Sequence, residues 1–186
     1  MGTNVKSALV FVLAISCMVV FTIILVAQKK TKGGKHTPDA YATSANFQDH
    51  LKNKRNKEDS LVAFAKSLIG TPYVYASSSP SGFDCSGFVY YVYKKFNMDV
   101  SRSSYTIGEQ GKEIDTVQAM KGDIILFQGT DMNDPKIGHV GIIISEKGQP
   151  IEFIHSSSST KNNGVVITKL TDGHYRQRFI KVVRVF

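Results

Sequence analysis

The spacing of apolar residues changes near Gly122, and this change constrains the fold more than any other feature of the 186-residue sequence. Before Gly122, apolar residues recur at the three- and four-residue intervals of a helix face. After it, short runs rich in Ile, Val and Phe are separated by turn residues, as in strands. Helices followed by a series of strands are typical of α+β domains. We therefore predict an α+β fold in which N-terminal helices pack on a central antiparallel sheet of about five strands.

The same patterns predict individual elements on both sides of this change. The first helix of the domain has an apolar face over 61–69 and ends at Gly70. A second helix is predicted over 85–96 with Asp84 as its N-cap, and a short third helix over 104–110. The predicted strands are 123–128, 139–145, 151–155, 165–170 and 179–186. These elements make one domain of ordinary size over residues 58–186.

An apolar stretch covers residues 8–27 and predicts a single hydrophobic helix at the N-terminus. Its length is about that needed to cross ~30 Å of hydrocarbon, so it is either a membrane anchor or a signal segment. Only half of an A-x-A cleavage site is present at Ala27, and a lipoprotein site ending at Cys17 is a weak match, which favours an uncleaved anchor. The lysines that follow would place the domain in the cytoplasm by the positive-inside tendency. The position of these lysines therefore leaves the membrane orientation of the predicted helix open.

The net charge of +8 is concentrated in one segment. Residues 58–186 contain 14 Lys plus Arg against 13 Asp plus Glu, so the domain is nearly neutral. The excess lies in 28–57, whose Gly, Pro and Lys residues are typical of a basic, flexible or weakly helical linker. No basic helix or zinc-ligand spacing accompanies the charge in the domain, which argues against nucleic acid as a partner. Anionic lipid or wall polymer matches the charge better.

Cys85 is the candidate nucleophile of the domain. The other cysteine, Cys17, lies in the apolar stretch, so Cys85 is predicted to be a free thiol. It falls at the first turn of a helix, where backbone N–H groups favour an anion, and we expect its pKa to be lowered. A cysteine nucleophile also needs a base and a group that orients the base. His139 and His155 lie on neighbouring strands and can meet at one edge of the sheet, although each is also typical of an ordinary structural residue.

Five blocks of sequence surround these candidates. In chain order they are Gly70-Thr-Pro-Tyr-Val-Tyr, Ser81-Gly-Phe-Asp-Cys-Ser-Gly-Phe-Val, Lys121-Gly-Asp-Ile-Ile-Leu-Phe, Gly138-His-Val-Gly-Ile and Phe153-Ile-His. With these blocks, residues 58–186 resemble the NlpC-type (NlpC/p-sixty) cell-wall cysteine peptidases. The resemblance implies a papain-like fold in which Cys85 is the nucleophile, His139 the general base and acid, and His155 the residue that orients His139.

The resemblance also implies which side chains contact the substrate. They are Tyr73, Asp84, Ser86, Arg102 and Ser104. Arg102 would pair with a carboxylate of an acidic peptide stem. Tyr73 is equally explained as a core aromatic residue, and the two residues that flank the cysteine are equally explained as helix caps. Relatives often have proline where this chain has Ser101 and glycine where it has Ala76, so both loops are expected to differ in shape from theirs.

The activity implied by the resemblance is hydrolysis of an amide in peptidoglycan stem peptides, between γ-D-glutamyl and the following diamino acid. The enzyme would lie in the cell envelope, anchored through residues 8–27 with its domain outside the cytoplasm, or secreted or lipid-anchored after signal cleavage. Two alternatives are an amidase or acyltransferase with the same Cys and His, and a catalytically silent wall-binding domain. We expect a monomer without a cofactor, and no metal, because no Cys, His or carboxylate group has metal-site spacing.

Overall fold

A computed structural model describes residues 38–185 of the chain, with side chains from residue 46 onward. The described residues form four α-helices and eight β-strands. The helices are α1 (Pro38–Ser67), α2 (Cys85–Lys95), α3 (Ser104–Gln110) and α4 (Gly173–Arg178), with a 3₁₀ turn at Thr116–Gln118. The strands are β1 (Ser78–Ser79), β2 (Gly82–Phe83), β3 (Lys112–Ile114), β4 (Ile124–Gln128), β5 (Ile137–Ile143), β6 (Glu152–Ser158), β7 (Asn163–Lys169) and β8 (Phe179–Arg184). The predicted α+β class is confirmed.

Six strands form one antiparallel sheet in the order β3-β8-β4-β5-β6-β7. Five of them correspond to the five predicted strands, with ends that differ by a few residues. The apolar pattern does not predict β3, because its three residues are mostly exposed. It also misses α4 and the ribbon formed by β1 and β2, since elements of six and two residues are too short for a period to appear.

Both faces of the sheet are buried. On one face, Val140 and Ile142 of β5 pack with apolar side chains of α1 and α2 such as Leu61. On the other face, Phe127 and Phe153 form a second cluster, against which a side chain of α4 packs. A strand that is covered on both faces has apolar residues at successive positions rather than at alternate ones. This is why the central strands appear in the sequence as short continuous apolar runs.

Helix α1 begins at Pro38, so the second part of the predicted linker is helical in the structure. Proline is well tolerated in the first turn of a helix, where its missing N–H has no acceptor to bond. The first part of the linker, 28–37, and the predicted hydrophobic helix over 8–27 lie outside the described residues. Within residues 38–185, no helix combines the length and the apolar character that a membrane crossing requires.

The first residues of the third block, 121–123, connect the sheet to neighbouring elements. The Tyr93 hydroxyl of α2 donates a hydrogen bond to the Gly122 carbonyl at 2.5 Å. The Asp123 carboxylate accepts two hydrogen bonds from Arg184 of β8, at 2.6 and 2.7 Å. Because Asp123 is fully buried, this pair replaces the hydration that the carboxylate loses on folding. The block therefore supports the packing of the domain.

Candidate active site

Cys85 is the first residue of helix α2, as predicted. Asp84 before it has an extended backbone, and its carboxylate accepts a hydrogen bond from the Gly87 N–H at 2.7 Å. This is the N-cap geometry that the sequence predicts, and it satisfies one of the N–H groups that the first turn leaves without a helical partner. The cap fixes the cysteine at the open N–H end of the helix.

The thiol lies beside strand β5, next to the predicted base. The backbone N–H groups of Ser86, Val140 and Cys85 itself are near enough to the Cys85 sulfur to lower its pKa. Val140 directly follows His139 on β5. The thiol is partly buried, and His139 is partly exposed at the start of its strand. The nucleophile and the base are thus neighbours in the fold, although they are far apart in the sequence.

The strand that leads into Cys85 is held by strand β6. The carbonyl of Phe83 accepts a hydrogen bond from the Val74 N–H at 3.1 Å and another from the Ser156 hydroxyl at 2.7 Å. Ser156 is fully buried and follows His155 on β6. The backbone two residues before the nucleophile is therefore tied to the strand that carries the third predicted residue.

His139 and His155 meet across β5 and β6, as predicted. The two strands pair antiparallel with Ile142 opposite Ile154, a register that puts both histidines on the same face of the sheet. His139 Nε2 and His155 Nδ1 are 3.0 Å apart, and the two rings are nearly perpendicular. The other nitrogen of His155, Nε2, lies 3.0 Å from the Thr168 hydroxyl oxygen on β7. Three side chains on three adjacent strands therefore form one hydrogen-bonded row.

One arrangement of protons along this row leaves Nδ1 of His139 free to act as a base. His155 occupies Nε2 of His139, so a thiol proton must be accepted by Nδ1 of His139. Neutral His139 then carries its proton on Nε2 and donates it to His155 Nδ1. His155 in turn carries its proton on Nε2 and donates it to the hydroxyl oxygen of Thr168. In this arrangement His139 has the tautomer that can act as a base toward Cys85.

Burial keeps both imidazoles neutral. Desolvation lowers the pKa of His139 well below its usual value, and the nearby His155, Arg178 and His174 lower it further. Desolvation, together with the charge of Arg178, lowers the pKa of His155 to about 3. His155 therefore stays a neutral hydrogen-bond acceptor for His139 at any pH near neutrality. When His139 accepts a proton, the lone pair on His155 Nδ1 stabilises the resulting charge.

The pKa of Cys85 is raised, so the predicted lowering is wrong. Burial is the main cause, and the charge of Asp84 adds to it, while the backbone N–H groups directed at the sulfur act in the opposite direction. The helix N-terminus does favour an anion, but it does not offset the loss of solvation and the adjacent carboxylate. The resting pair is therefore a neutral thiol beside a neutral imidazole. A thiolate forms when His139 takes the proton.

Arg102 pairs with Asp84 in the structure. Its guanidinium donates to both carboxylate oxygens, at 2.8 and 2.7 Å. It also donates to the Ser86 hydroxyl at 2.8 Å and to the Ser77 carbonyl at 3.0 Å. The side chain remains 35% exposed. A contact between Arg102 and a stem carboxylate would require an exchange of these partners, and it stays a prediction.

Tyr73 lies near the thiol, and Ser104 begins helix α3. Burial raises the pKa of Tyr73, and the charges of Cys85 and Asp84 add to the rise, which places the phenol within electrostatic reach of both. Ser104 follows Arg102 by two residues and is partly buried. The predicted substrate-contacting residues that the structure gathers around the thiol are Tyr73, Asp84, Ser86 and Arg102.

Helix α4 supplies two side chains that the sequence patterns do not indicate. The ring of Tyr175 packs against those of His155 and His139, with centroids 5.1 and 5.9 Å apart. Arg178 is almost fully buried, donates two hydrogen bonds to the Gln128 carbonyl and lies over the Tyr175 ring at 5.8 Å. The Tyr-x-x-Arg spacing, which puts both side chains on one side of a helix, is the sequence signal that could have indicated them.

The arrangement is suited to nucleophilic acyl transfer. The backbone N–H groups of Cys85 and Ser86 lie near the sulfur, and N–H groups beside a nucleophile can stabilise the oxyanion that forms on the oxygen of an attacked carbonyl. The hydrogen-bonded row supplies a base in the correct tautomer and a neutral group that orients it. Among residues 38–185, no group of three or more His, Cys, Asp or Glu side chains is placed to hold a metal ion.

Comparison with known proteins gives consistent matches. A family model described as NlpC/P60 family matches residues 70–184. An Escherichia coli protein named Murein DD-endopeptidase MepS/Murein LD-carboxypeptidase is 28% identical over 153 residues, which cover 82% of this chain and 75% of that protein. A Bacillus cereus protein named Gamma-D-glutamyl-L-lysine dipeptidyl-peptidase is 31% identical over 108 residues, which cover 58% of this chain and 31% of that protein.

A solved structure gives the same result at the level of the fold. An NlpC/P60 family protein from Bacillus cereus superposes with a TM-score of 0.61 at 30% identity, and the match covers 69% of this chain and 40% of that one. The chain thus spans three quarters of the E. coli relative and less than half of the B. cereus proteins. The likeness to the B. cereus proteins therefore concerns only part of each.

Proposed function

This chain belongs to the NlpC/P60 family, and from that premise we propose that it is a cysteine peptidase that hydrolyses an amide bond in the peptide stems of peptidoglycan. The observation that supports catalysis most directly is the row from His139 through His155 to Thr168, which lies next to Cys85 because the backbone N–H of Val140, the residue after His139, is near the sulfur. A domain that only binds the cell wall needs a groove. It does not need a thiol that lies next to a base oriented in this way.

The first half of the proposed reaction forms a thioester. Nδ1 of His139 takes the proton of the Cys85 thiol while the sulfur attacks the carbonyl carbon of the substrate amide. The carbonyl oxygen becomes an oxyanion that the N–H groups of Cys85 and Ser86 stabilise. His139 then gives its proton to the amide nitrogen, the carbon–nitrogen bond breaks, and the amine leaves. His155 accepts the Nε2–H of His139 throughout and does not change protonation.

The second half of the reaction hydrolyses the thioester. His139 takes a proton from a water molecule, whose oxygen attacks the thioester carbonyl carbon. The carbon–sulfur bond breaks, the sulfur recovers a proton from His139, and the product leaves with a free carboxyl group. Both halves use the same nitrogen of His139, so the residues that orient its ring affect both.

We propose that the bond cleaved joins the γ-carboxyl of D-glutamate to the following diamino acid. The name of the B. cereus relative, Gamma-D-glutamyl-L-lysine dipeptidyl-peptidase, supports this choice. The E. coli relative is named for DD-endopeptidase and LD-carboxypeptidase activities, so a substrate test has to include those bonds as well. The side chains proposed to bind the acyl part of the substrate are Tyr73, Asp84, Ser86, Arg102 and Ser104.

A substrate in the cell wall places the enzyme outside the cytoplasm. We propose that residues 8–27 anchor the chain in the membrane with the domain on the outer side, the alternative being secretion or lipid anchoring after signal cleavage. Protease added to cells after the outer layers are opened should digest the domain, and fractionation should recover the chain with the membrane. Full protection of the domain would contradict this location.

The products formed from purified peptidoglycan fragments test the activity. Full-length wild type, Cys85→Ala and the control Cys17→Ala, which removes the other thiol, are incubated with fragments of known stem sequence, and the products are identified by mass spectrometry. We expect cleavage after γ-D-glutamyl by wild type and by Cys17→Ala. In Cys85→Ala the rate should fall by a factor on the order of 10³ or more, because no other group replaces the nucleophile.

Other outcomes would select one of the alternative functions. Intact stems with every variant, together with binding of the fragments, would indicate a silent wall-binding domain. Transfer of the acyl group to an added amine rather than to water would indicate an acyltransferase. Cleavage that survives in Cys85→Ala would refute the cysteine mechanism.

A further inference from the structure

A polar pocket of about 350 Å³ lies between the β6–β7 hairpin and helix α4. Its size is within the ~300–1,000 Å³ that is usual for small-molecule sites. The polar side chains in its lining include those of His155, Ser157, Lys161, Thr168, Asp172 and His174. The ring of His155 that lines this pocket is the same ring that orients His139. The proposed acyl transfer assigns no role to Lys161 or His174.

The pocket lies on the opposite side of the reacting groups from the proposed acyl-binding residues. Successive residues of a strand point to opposite faces of the sheet. On β6, Ser156 bonds the Phe83 carbonyl next to the N-terminus of α2, whereas His155 packs against Tyr175 of α4. Asp84 is held at the first turn of α2, on the side of the thiol. The two ends of the substrate therefore have different surroundings.

The position of His139 determines which end of the substrate faces the pocket. In the proposed mechanism His139 protonates the departing amine, so the leaving amino acid begins at this imidazole. The side chains next to His139 on the α4 side are His155 and Tyr175, and both line the pocket. Tyr175 is also within electrostatic reach of the Cys85 sulfur. A leaving residue that begins at Nδ1 of His139 and follows the Tyr175 ring therefore reaches the pocket, while the acyl part stays near Asp84.

Two cations have no acidic partner among the described residues: Lys161 in the lining of this pocket, and Arg178, which is buried behind the lining residues His174 and Tyr175. Arg178, which is 4% exposed, donates to the Gln128 carbonyl and to His174 Nε2 at 2.7 Å, and no carboxylate in the described part of the chain pairs with it. Lys161 is exposed on the hairpin loop and also forms no ion pair with a described residue. Asp172 is the one acidic residue in the lining. The pocket therefore favours an anionic group.

We infer that this pocket binds a carboxylate of the amino acid that leaves with the new amine. Lys161 provides the cation for a charge-assisted hydrogen bond. The hydroxyls of Ser157 and Thr168 line the same space, and His174 carries its proton on Nδ1 because its Nε2 accepts from Arg178. The inference rests on the proposed function and adds to it a chemical requirement on the leaving residue.

A carboxylate on the leaving residue can come from two sources. It is the α-carboxylate when that residue is the C-terminus of the stem, or a side-chain carboxylate when the residue is a diaminodicarboxylic acid. Three substrates that share the γ-D-glutamyl part separate the sources. The leaving residue is lysine with a free carboxylate, lysine carboxamide, or diaminopimelic acid whose α-carboxyl is amidated.

The test compares full-length wild type, Lys161→Met and the control Lys147→Met on these substrates. Lys147 is equally exposed but lies in the turn between β5 and β6. We expect wild-type kcat/KM to be about tenfold higher for at least one carboxylate substrate than for the carboxamide, as for one charge-assisted hydrogen bond. Lys161→Met should lose this preference while it cleaves the carboxamide normally. The inference would be overturned if Lys161→Met preferred the carboxylate substrates over the carboxamide as strongly as wild type does, or if wild type showed no such preference.

Binding without turnover separates this inference from the proposed function. Calorimetric titration of Cys85→Ala with lysine, lysine carboxamide and diaminopimelic acid measures the pocket directly. We expect the carboxylate compounds to bind about tenfold more weakly when Lys161→Met is added, and unchanged when Lys147→Met is added. If stems are cleaved but the affinity for the carboxylate compounds does not change in Lys161→Met, the pocket inference is wrong and the peptidase proposal is kept. If no stem is cleaved but binding depends on Lys161, the pocket stands and the peptidase proposal fails.

Discussion

Two arginines lie on opposite sides of the residues proposed to be catalytic, and their partners differ. Arg102, on the α2 side, is 35% exposed and bonds both oxygens of the Asp84 carboxylate. Arg178, on the α4 side, is 4% exposed, and its hydrogen-bond partners within residues 38–185 are the Gln128 carbonyl and His174. A guanidinium that is paired with a carboxylate fixes geometry while its charge is largely cancelled. A buried guanidinium with neutral partners acts at a distance through its field.

The difference explains why the resting thiol and imidazole are both neutral. The negative charge of Asp84 raises the pKa of Cys85, and the positive charge of Arg178 lowers the pKa of His139 and of His155, in each case added to the effect of burial. Both fields oppose the transfer of a proton from sulfur to nitrogen. A substrate carboxylate bound near Arg178 would weaken the field of Arg178 at His139. If the pocket beside α4 binds such a carboxylate, the leaving residue itself helps to prepare the base.

Among changes on the Arg102 side and on the Arg178 side, the loss of Asp84 should have the largest effect. Asp84→Ala removes the N-cap of α2, which costs about 1 kcal/mol. It also leaves the partly buried Arg102 without its carboxylate, which adds about 1–3 kcal/mol once exposure is allowed for. We expect urea denaturation to show a loss of about 2–4 kcal/mol in the free energy of unfolding. The exposed Asp99→Ala should change it by less than about 0.5 kcal/mol. A similar small loss in Asp84→Ala would contradict the structural role of the pair.

The α4 side can be perturbed without altering any charge, and the second-largest effect is expected there. Thr168→Val keeps the shape of the side chain but removes the oxygen that accepts the His155 Nε2–H. Without this hydrogen bond, the His155 tautomer with an unprotonated Nδ1 is less favoured. His139 is then held less strongly in the tautomer that can act as a base. We expect kcat on stem fragments to fall about tenfold, as for one lost buried hydrogen bond. Thr168→Ser should restore most of it, and the exposed Thr171→Val should be neutral. Full activity in Thr168→Val would show that the row ends at His155.

Arg178 itself should affect the pH dependence more than the maximal rate. Its charge lowers the pKa of His139, so Arg178→Met raises that pKa and protonates the base at a higher pH. The acid limb of the kcat/KM profile should therefore move toward neutral pH. Arg178→Lys, which keeps a charge, should stay close to wild type, as should Arg176→Met on the exposed side of the same helix. An acid limb that does not move in a folded Arg178→Met would mean that burial alone sets the basicity of His139.

The sequence predicts the parts of this site that local patterns encode. The N-cap at Asp84, the start of α2 at Cys85 and the five long strands follow from capping chemistry and apolar periodicity, and the structure confirms them. The meeting of His139 and His155 follows from antiparallel pairing of neighbouring strands. Each of these features depends on residues that are close in sequence or on adjacent strands.

The features that the sequence could not predict depend on contacts between distant segments. Arg178 of α4 bonds the carbonyl of Gln128 at the end of β4, and Thr168 shares strand β7 with other polar residues such as Lys169, so nothing in the sequence marks it as the partner of His155. The direction of the Cys85 pKa is a further case. A helix N-terminus is visible in the sequence and argues for a lowered pKa, but the burial that outweighs it arises only when the sheet packs against α2.

The smallest expected effect tests whether the Asp84 charge is felt at the sulfur. Asp84→Asn keeps a good N-cap but removes the negative charge, so the pKa of Cys85 should fall and alkylation by iodoacetamide at neutral pH should become faster. Arg102→Met leaves Asp84 charged and without its partner, so alkylation should become slower than in wild type. Wild type itself should show rates that rise only toward alkaline pH, without the acidic plateau of a preformed thiolate–imidazolium pair. Equal rates in all three proteins at every pH would mean that burial alone raises the pKa. In that case the Arg102–Asp84 pair would fix only the geometry of the α2 side, and Arg178 would be the one of the two arginines whose charge affects the pKa values of the site.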